Sequence, residues 1–454
     1  MDTSAPPPPD SSRGQRLSTL VASRQGSPLG RRTRRVFDAA VDRISDPTRA
    51  LWLLLGVAFV LRVLWLNLPP NSLIFDEVYY VNAARVILGW PVPAGAHYAG
   101  SPPGLDPNLG HPPLGKLLIA GSMAVFGDNG IGWRLPDVIA GMIALYMVYR
   151  IVRDTDRSGW LAILVVFLVA FDNLTFVHGR IGTLDMLVLA PMLAGSWLAL
   201  RQRWILAAIA IGIALLIKFT AIYAIGAIGL FVLLDRGPDW WRRKRIPLAD
   251  VVGPVAFVLF TLAFALGGLG LLDARFKPMF GSPFDHIRQM LTYGVNLDTP
   301  VRVGFCPGVD SKPWQWLFNE CQITYLRNDV TVRVAGQLVS THPSIDFRGA
   351  MNPILVGAIP IATLFTLWYA WRTRSRAAVW AIAWGAANYL PYLILAILSP
   401  RIMYLYYMVP VIPAISVGIA LLVTRAGLPR PVRLAFLAAY LVGFAAYFPF
   451  RQVP

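Results

Sequence analysis

Apolar runs of 17–25 residues recur along the chain, each closed by a short cluster of arginine and lysine, and this pattern leaves few folds open. A run of that length matches the hydrocarbon core of a bilayer. With 56% hydrophobic and 14% charged residues, the 454-residue chain is too apolar for a soluble globular protein. The expected fold class is therefore an all-α polytopic membrane protein. A net charge of +17 could point to nucleic acid, but the cations stand between apolar runs, where they fix orientation. No nucleic-acid partner is expected.

Arg31, Arg32, Arg34, Arg35 and Arg43 precede the first run and predict an inside N-terminus. Residues 1–48, rich in Pro, Ser and Arg, read as a disordered cytoplasmic tail without a cleavable signal. Residues 49–272 form a transmembrane module interrupted by a first outer loop at 68–132; residues 273–350 form a second outer loop; residues 351–454 carry the C-terminal spans. Alternation of the basic clusters gives about eleven spans. The run Leu114–Phe126 has 13 residues, too short to cross, and is read as an interfacial or re-entrant helix. Ahead of it, residues 89–113 hold five Gly and seven Pro, which excludes regular structure. The run 204–235 is too long for one span and is broken at Lys218-Phe219-Thr220, which suggests two short helices with Lys218 at the outer turn.

This topology gathers Asp76, Glu77, His111, Lys116, Arg134, Arg180, Asp185, Lys218 and Arg401 on the outer face. Ionisable groups at a membrane boundary are costly, and nine together suggest a site. One or two carboxylates among several cations suit a base acting beside a phosphate-bearing ligand, and the position suggests a lipid. Glu77 is one of only two glutamates, the other being Glu320. The bland alternatives are that Asp76 and Glu77 merely open a helix, where acids meet the positive dipole end, and that Lys116 snorkels. His97, His286 and His342 lack metal-ligand spacing, so no zinc is expected. Cys306 and Cys321, the only cysteines, lie in the second outer loop. A disulfide is expected in an oxidising compartment, with two free thiols as the alternative. Trp314 and Trp316 suit sugar stacking or interfacial anchoring, the latter favoured for at least one.

Phe75-Asp76-Glu77-Val78-Tyr79 followed by His111-Pro112-Pro113-Leu114-Gly115-Lys116 resembles the protein O-mannosyltransferase family, membrane glycosyltransferases of the GT-C type. Arg134-Leu135-Pro136, Arg180, Leu184-Asp185, Lys218-Phe219-Thr220, Ser311–Trp316 and Arg401–Tyr407 resemble later motifs of that family in order. Tyr407 stands where the family usually has histidine. The resemblance implies transfer of mannose from polyprenyl-phosphate-mannose to Ser or Thr of a secreted protein, in a compact prokaryotic form. Asp76 is then the catalytic base, with Glu77 and Asp185 orienting. Lys218 and Arg401 lead the donor-phosphate contacts, followed by Arg134, Arg180, Lys116, His111 and Tyr404. Phosphate leaves readily, so the chemistry requires no metal or cofactor, and the chain carries no glycine-rich nucleotide loop. A cell-wall glycan or lipid acceptor is the alternative. A transporter or flippase would show internal repeats, and none is visible.

Overall fold

The computed structural model describes residues 46–297, 306, 309–335 and 337–451, so the expected N-terminal tail lies almost wholly outside the described residues. Two units are distinguished, residues 1–53 and 54–454. Of the first, only the opening of helix α1 (Pro47–Val63) is described.

The second unit is a succession of helices: α2 (Glu77–Leu88), α3 (Leu114–Phe126), α4 (Gly130–Asp156), α5 (Gly159–Ala170), α6 (Asn173–His178), α7 (Asp185–Leu200) and α8 (Trp204–Ile217). A 3₁₀ turn at Phe219–Ala221 leads to α9 (Ile222–Arg243), α10 (Ala249–Phe276), α11 (Pro283–Val295) and α12 (Pro313–Trp316). Strands β1 (Ile323–Val334) and β2 (Gln337–Gly349) precede α13 (Pro353–Thr373), α14 (Arg376–Leu398), α15 (Ile412–Arg425) and α16 (Arg430–Ala446). Among the described residues, five segments are long and apolar enough to cross a bilayer: Gly130–Asp156, Phe219–Arg243, Ala249–Phe276, Pro353–Thr373 and Arg376–Leu398. Five shorter apolar helices, α3, α5, α7, α8 and α15, accompany them. The expected eleven crossings would require short helices to cross as well.

Helix ends follow local chemistry. Asn129 caps α4 by accepting from Ile131 and Gly132 N–H at 2.9 and 3.2 Å. The paired prolines, with Pro113 at the N-cap, start α3, which has the bounds the apolar run predicts. The apolar run 159–177, long enough to be expected as a single span, is instead two helices, because Asp172 breaks it. Its carboxylate accepts from Thr175 N–H (2.9 Å) to cap α6 and from Asn352 N–H (2.8 Å) to tie down the start of α13.

The core lies around α7, which packs between α4 and α8 and is buried along almost its whole length. Helix α10 packs on α8 with one face and exposes Val251, Leu259, Phe260 and Leu271 with the other, as a lipid-facing helix does. The segment 273–350 carries an element that the sequence does not lead one to expect. Strands β1 and β2 pair antiparallel from Ile323↔Gly349 to Val334↔Gln337. The hairpin's base is buried through Ile323, Tyr325, Ile345 and Phe347, while Val334, Leu338 and Val339 at the far end are exposed. A disulfide joins Cys306 and Cys321 just before it.

Candidate active site

The turn into α2 carries the site. Phe75 adopts a left-handed φ of 54° and Asp76 is the N-cap residue, so the chain reverses sharply there. Glu77, fully buried, holds this turn. Its Oε2 accepts from Ile74 N–H (2.7 Å) and Arg134 Nη2 (3.0 Å); its Oε1 accepts from Gly182 N–H (2.7 Å) and Arg134 Nε (2.8 Å). Arg134 spends its remaining donors on the carbonyls of Leu66 (2.8 Å), Leu68 (3.1 Å) and Ser72 (2.9 Å). All five guanidinium N–H groups are thus engaged. Gly182 is required because a Cβ there would meet Trp133 O at 2.7 Å. A paired, hydrogen-bonded buried ion pair of this kind fixes geometry.

Asp76 contrasts with its neighbour. Its side chain is half-buried and accepts no hydrogen bond among the described residues. Burial, and next the negative charge of Asp185, push its carboxyl up to about 7, against the opposing pull of Lys218. A carboxylate free of partners and titrating near neutrality is suited to general base work.

Lys218 stands at the break between α8 and the 3₁₀ turn, as its interruption of the apolar run suggests. Its Nζ donates to Asp185 Oδ1 at 2.6 Å and lies 5.3 Å from the centre of the Tyr406 ring. On the late segment, Arg401 Nη2 donates to the Tyr407 hydroxyl at 3.1 Å, while its buried Nε has no partner among the described residues. Tyr404 stacks on Tyr406 at 5.1 Å, and Tyr407 stacks on Tyr392 at 4.6 Å. His111 approaches Tyr80 with ring centres 5.9 Å apart. Burial, followed by the charges of Lys218 and Lys116, holds its imidazole well below the usual histidine range and therefore neutral.

Three cations expected at the phosphate make other contacts, although Arg180 keeps a buried Nε without a partner among the described residues. Lys116 is fully buried, forms an ion pair with Asp106 Oδ2 (2.9 Å) and donates to the carbonyls of His111 (2.7 Å) and Asn108 (3.4 Å). It pins the Gly/Pro-rich loop, together with Lys277, which also pairs with Asp106, at 3.4 Å. Arg134 is consumed by Glu77 and backbone, as described. Arg180 donates to the carbonyls of Leu61 (3.2 Å) and Leu64 (2.8 Å) and lies 4.7 Å from the Phe450 ring centre, a tie between elements. Glu77, expected beside Asp76 as a catalytic group, holds the turn instead, because every lone pair it could offer is taken. Trp316 is fully buried against Tyr389, Tyr392 and Tyr407, which leaves it no face for sugar, peptide or lipid; Trp314 is exposed.

The structure adds His178, Tyr325 and Phe75. His178 Nδ1 lies 3.3 Å from Asp185 Oδ2 and from Thr183 Oγ1, and its Nε2 is 2.9 Å from the Tyr325 hydroxyl. The Tyr325 ring stacks on Phe75 at 4.1 Å. In the sequence His178 marks only the outer end of a span. Tyr325 is reachable through the period-two alternation of Ile323 and Tyr325, then Val330, Val332 and Val334, which signals a strand.

The family described as dolichyl-phosphate-mannose-protein mannosyltransferase matches residues 110–264. The polyprenol-phosphate-mannose–protein mannosyltransferase of Corynebacterium glutamicum is 25% identical over 418 residues, covering 77% of this chain and 76% of the relative. Its namesake in Mycobacterium tuberculosis is 34% identical over 140 residues, covering 30% and 26% of the two chains. In fold, the yeast (S. cerevisiae) protein O-mannosyltransferase Pmt1-Pmt2 complex bound to the sugar donor matches with a TM-score of 0.63 over 89% of this chain and 90% of that one, at 12% identity. The chain is related in sequence to the protein O-mannosyltransferases and has the GT-C glycosyltransferase fold.

Proposed function

We propose that this protein is an inverting glycosyltransferase that moves mannose from a polyprenyl-phosphate-mannose lipid to Ser or Thr hydroxyls of secreted or membrane proteins. The observation that carries the reading is Asp76, a carboxyl at about 7 that accepts no hydrogen bond among the described residues and feels the charge of Lys218, with Tyr407 interacting both with it and with Arg401. The acceptor hydroxyl oxygen attacks the anomeric carbon while Asp76 takes its proton. The bond from that carbon to the phosphate oxygen breaks on the opposite side, inverting the configuration. Lys218 and Arg401 hold the departing phosphate and offset the charge that grows on it. Asp185 orients Lys218 through the 2.6 Å contact. Neutral His111 and Tyr404 serve as further polar contacts for substrate.

The basic clusters support an N-terminus in the cytoplasm and a reaction on the extracytoplasmic face. Arg150, Arg153 and Arg157 then lie inside with Arg242, Arg243, Lys244 and Arg245, while Asp76 and Lys218 lie outside. The division of the chain into a 49–272 catalytic module, a 273–350 outer loop and a 351–454 helical part is part of this reading.

The test supplies membranes containing the protein with radiolabelled polyprenyl-phosphate-mannose and follows the label. Label in protein, released by base-catalysed β-elimination from Ser and Thr, is the expected result. Label confined to glycan or lipid would replace the acceptor, and no transfer at all would overturn the reading.

A further inference from the structure

Tyr325 touches both halves of the site from outside it. It belongs to the buried base of the hairpin, in the second outer loop, 147 residues from His178 in sequence. Its ring lies flat on Phe75, with an interplanar angle of 23°, immediately before Asp76 in the chain. Its hydroxyl reaches His178 Nε2 at 2.9 Å, and from His178 Nδ1 the contacts continue to Asp185 at 3.3 Å and to Lys218 Nζ at 2.6 Å. An ionised carboxylate only accepts, so Nδ1 carries a proton toward Asp185; in neutral His178, Nε2 then accepts from the Tyr325 hydroxyl. The hairpin's own sequence leaves room for this. A Cβ at Gly349, paired with Ile323 two residues before Tyr325, would stand 2.5 Å from that hydroxyl. The hairpin's base is itself anchored, since Ile345 bridges to Phe450 and Asp346 N–H donates to Pro449 O at 2.8 Å.

We propose that Tyr325 and His178 are positioning residues for the transfer: a hydrogen-bonded strut from the outer hairpin to the Asp185–Lys218 pair that sets where the phosphate-binding ammonium stands relative to Asp76. The inference rests on the reading of Lys218 as a donor-phosphate ligand. Neither residue touches substrate; both act through Asp185 and Lys218. Without the strut, Asp185 keeps one partner in place of two, and the ammonium loses the fixed direction that a charge acting on phosphate requires. The seat of the hairpin and the geometry of the phosphate site are then one mechanical unit.

The experiment is a double-mutant cycle read by binding of polyprenyl phosphate without its sugar to the purified full chain in lipid nanodiscs. Tyr325→Phe keeps the Phe75 stack and removes only the hydroxyl. It is expected to weaken binding about three- to tenfold in the parent protein, and less than about twofold in a Lys218→Met background, since a strut acting through Lys218 has nothing left to position. Equal losses in both backgrounds, or none in the parent, would overturn the strut. Should Tyr325→Phe not assemble in the membrane, His178→Gln enters the same cycle with the same expected outcomes. If Lys218→Met by itself leaves binding unchanged, the assignment of Lys218 to the phosphate fails first, and the cycle reports that separately.

Discussion

Replacing Asp76 by asparagine removes the base and keeps its shape. A positioned general base contributes about 10²–10⁴-fold, so kcat should fall by that factor, equivalent to about 3–5 kcal/mol of transition-state stabilisation. The fold should not suffer, because the Asp76 side chain makes no hydrogen bond among the described residues, whereas Glu77 beside it makes four. Stability should even improve at high pH. The folded protein holds the Asp76 proton up to about 7, against an ordinary value of 3.8, so the protonated form is favoured by folding. That stability is present at low pH, is lost as pH rises through the interval between those two values, and stays lost above about 7. Three pKa units set a ceiling of about 4 kcal/mol, reduced because the side chain is half-open to water. Asparagine does not ionise and escapes the penalty. The assay pairs initial rates of mannosyl transfer from pH 5 to 9 with thermal unfolding in detergent across the same range. Wild-type kcat should rise about tenfold per unit below pH 7 and level off above it. A variant that turns over within about threefold of wild type would refute the assignment of the base. One that is inactive and unstable at every pH would refute the claim that Asp76 is free of structural duty.

Glu77→Ala should act through the fold: it leaves Arg134 buried and unpaired, at a cost of about 3–5 kcal/mol, and the readout is a lowered unfolding temperature and poor extraction from the membrane. Lys218→Met and Arg401→Met should each weaken binding of polyprenyl phosphate by about 10–100-fold, the worth of a charged hydrogen bond, while Lys116→Met should leave that affinity within about threefold in the protein that still folds, because its ammonium never reaches the site. Trp316→Ala should cost about 3–5 kcal/mol by opening a cavity beside Tyr392 and Tyr407, seen in thermal unfolding; an unchanged unfolding temperature would mean the loop before the hairpin is not packed as described.

The sequence goes far on class and on location. Apolar runs and basic clusters are local properties, so a polytopic helical membrane protein, the break at Lys218 and the start of α3 after Pro112-Pro113 are all legible without coordinates. The expectation that acid and base concentrate on one face needs only the order of spans. Roles are less legible. Asp76 and Glu77 are adjacent and chemically alike, and nothing local says which is free.

Tertiary structure separates them. The helical turn sends Glu77 inward against Arg134 and Gly182, 57 and 105 residues later, and leaves Asp76 facing Lys218 and Asp185. The same distinction divides the cations. Lys116 and Arg134 resemble phosphate ligands in the sequence, yet their protons go to groups brought near by folding, whereas Arg180, though tied to two carbonyls, shares with Arg401 a buried Nε that has no partner among the described residues. Tyr325 joins the site only because a hairpin pairs over it. Residue type and spacing thus fix what a side chain can donate or accept. Whether that capacity is already spent depends on neighbours distant in the chain, and only the folded structure supplies them.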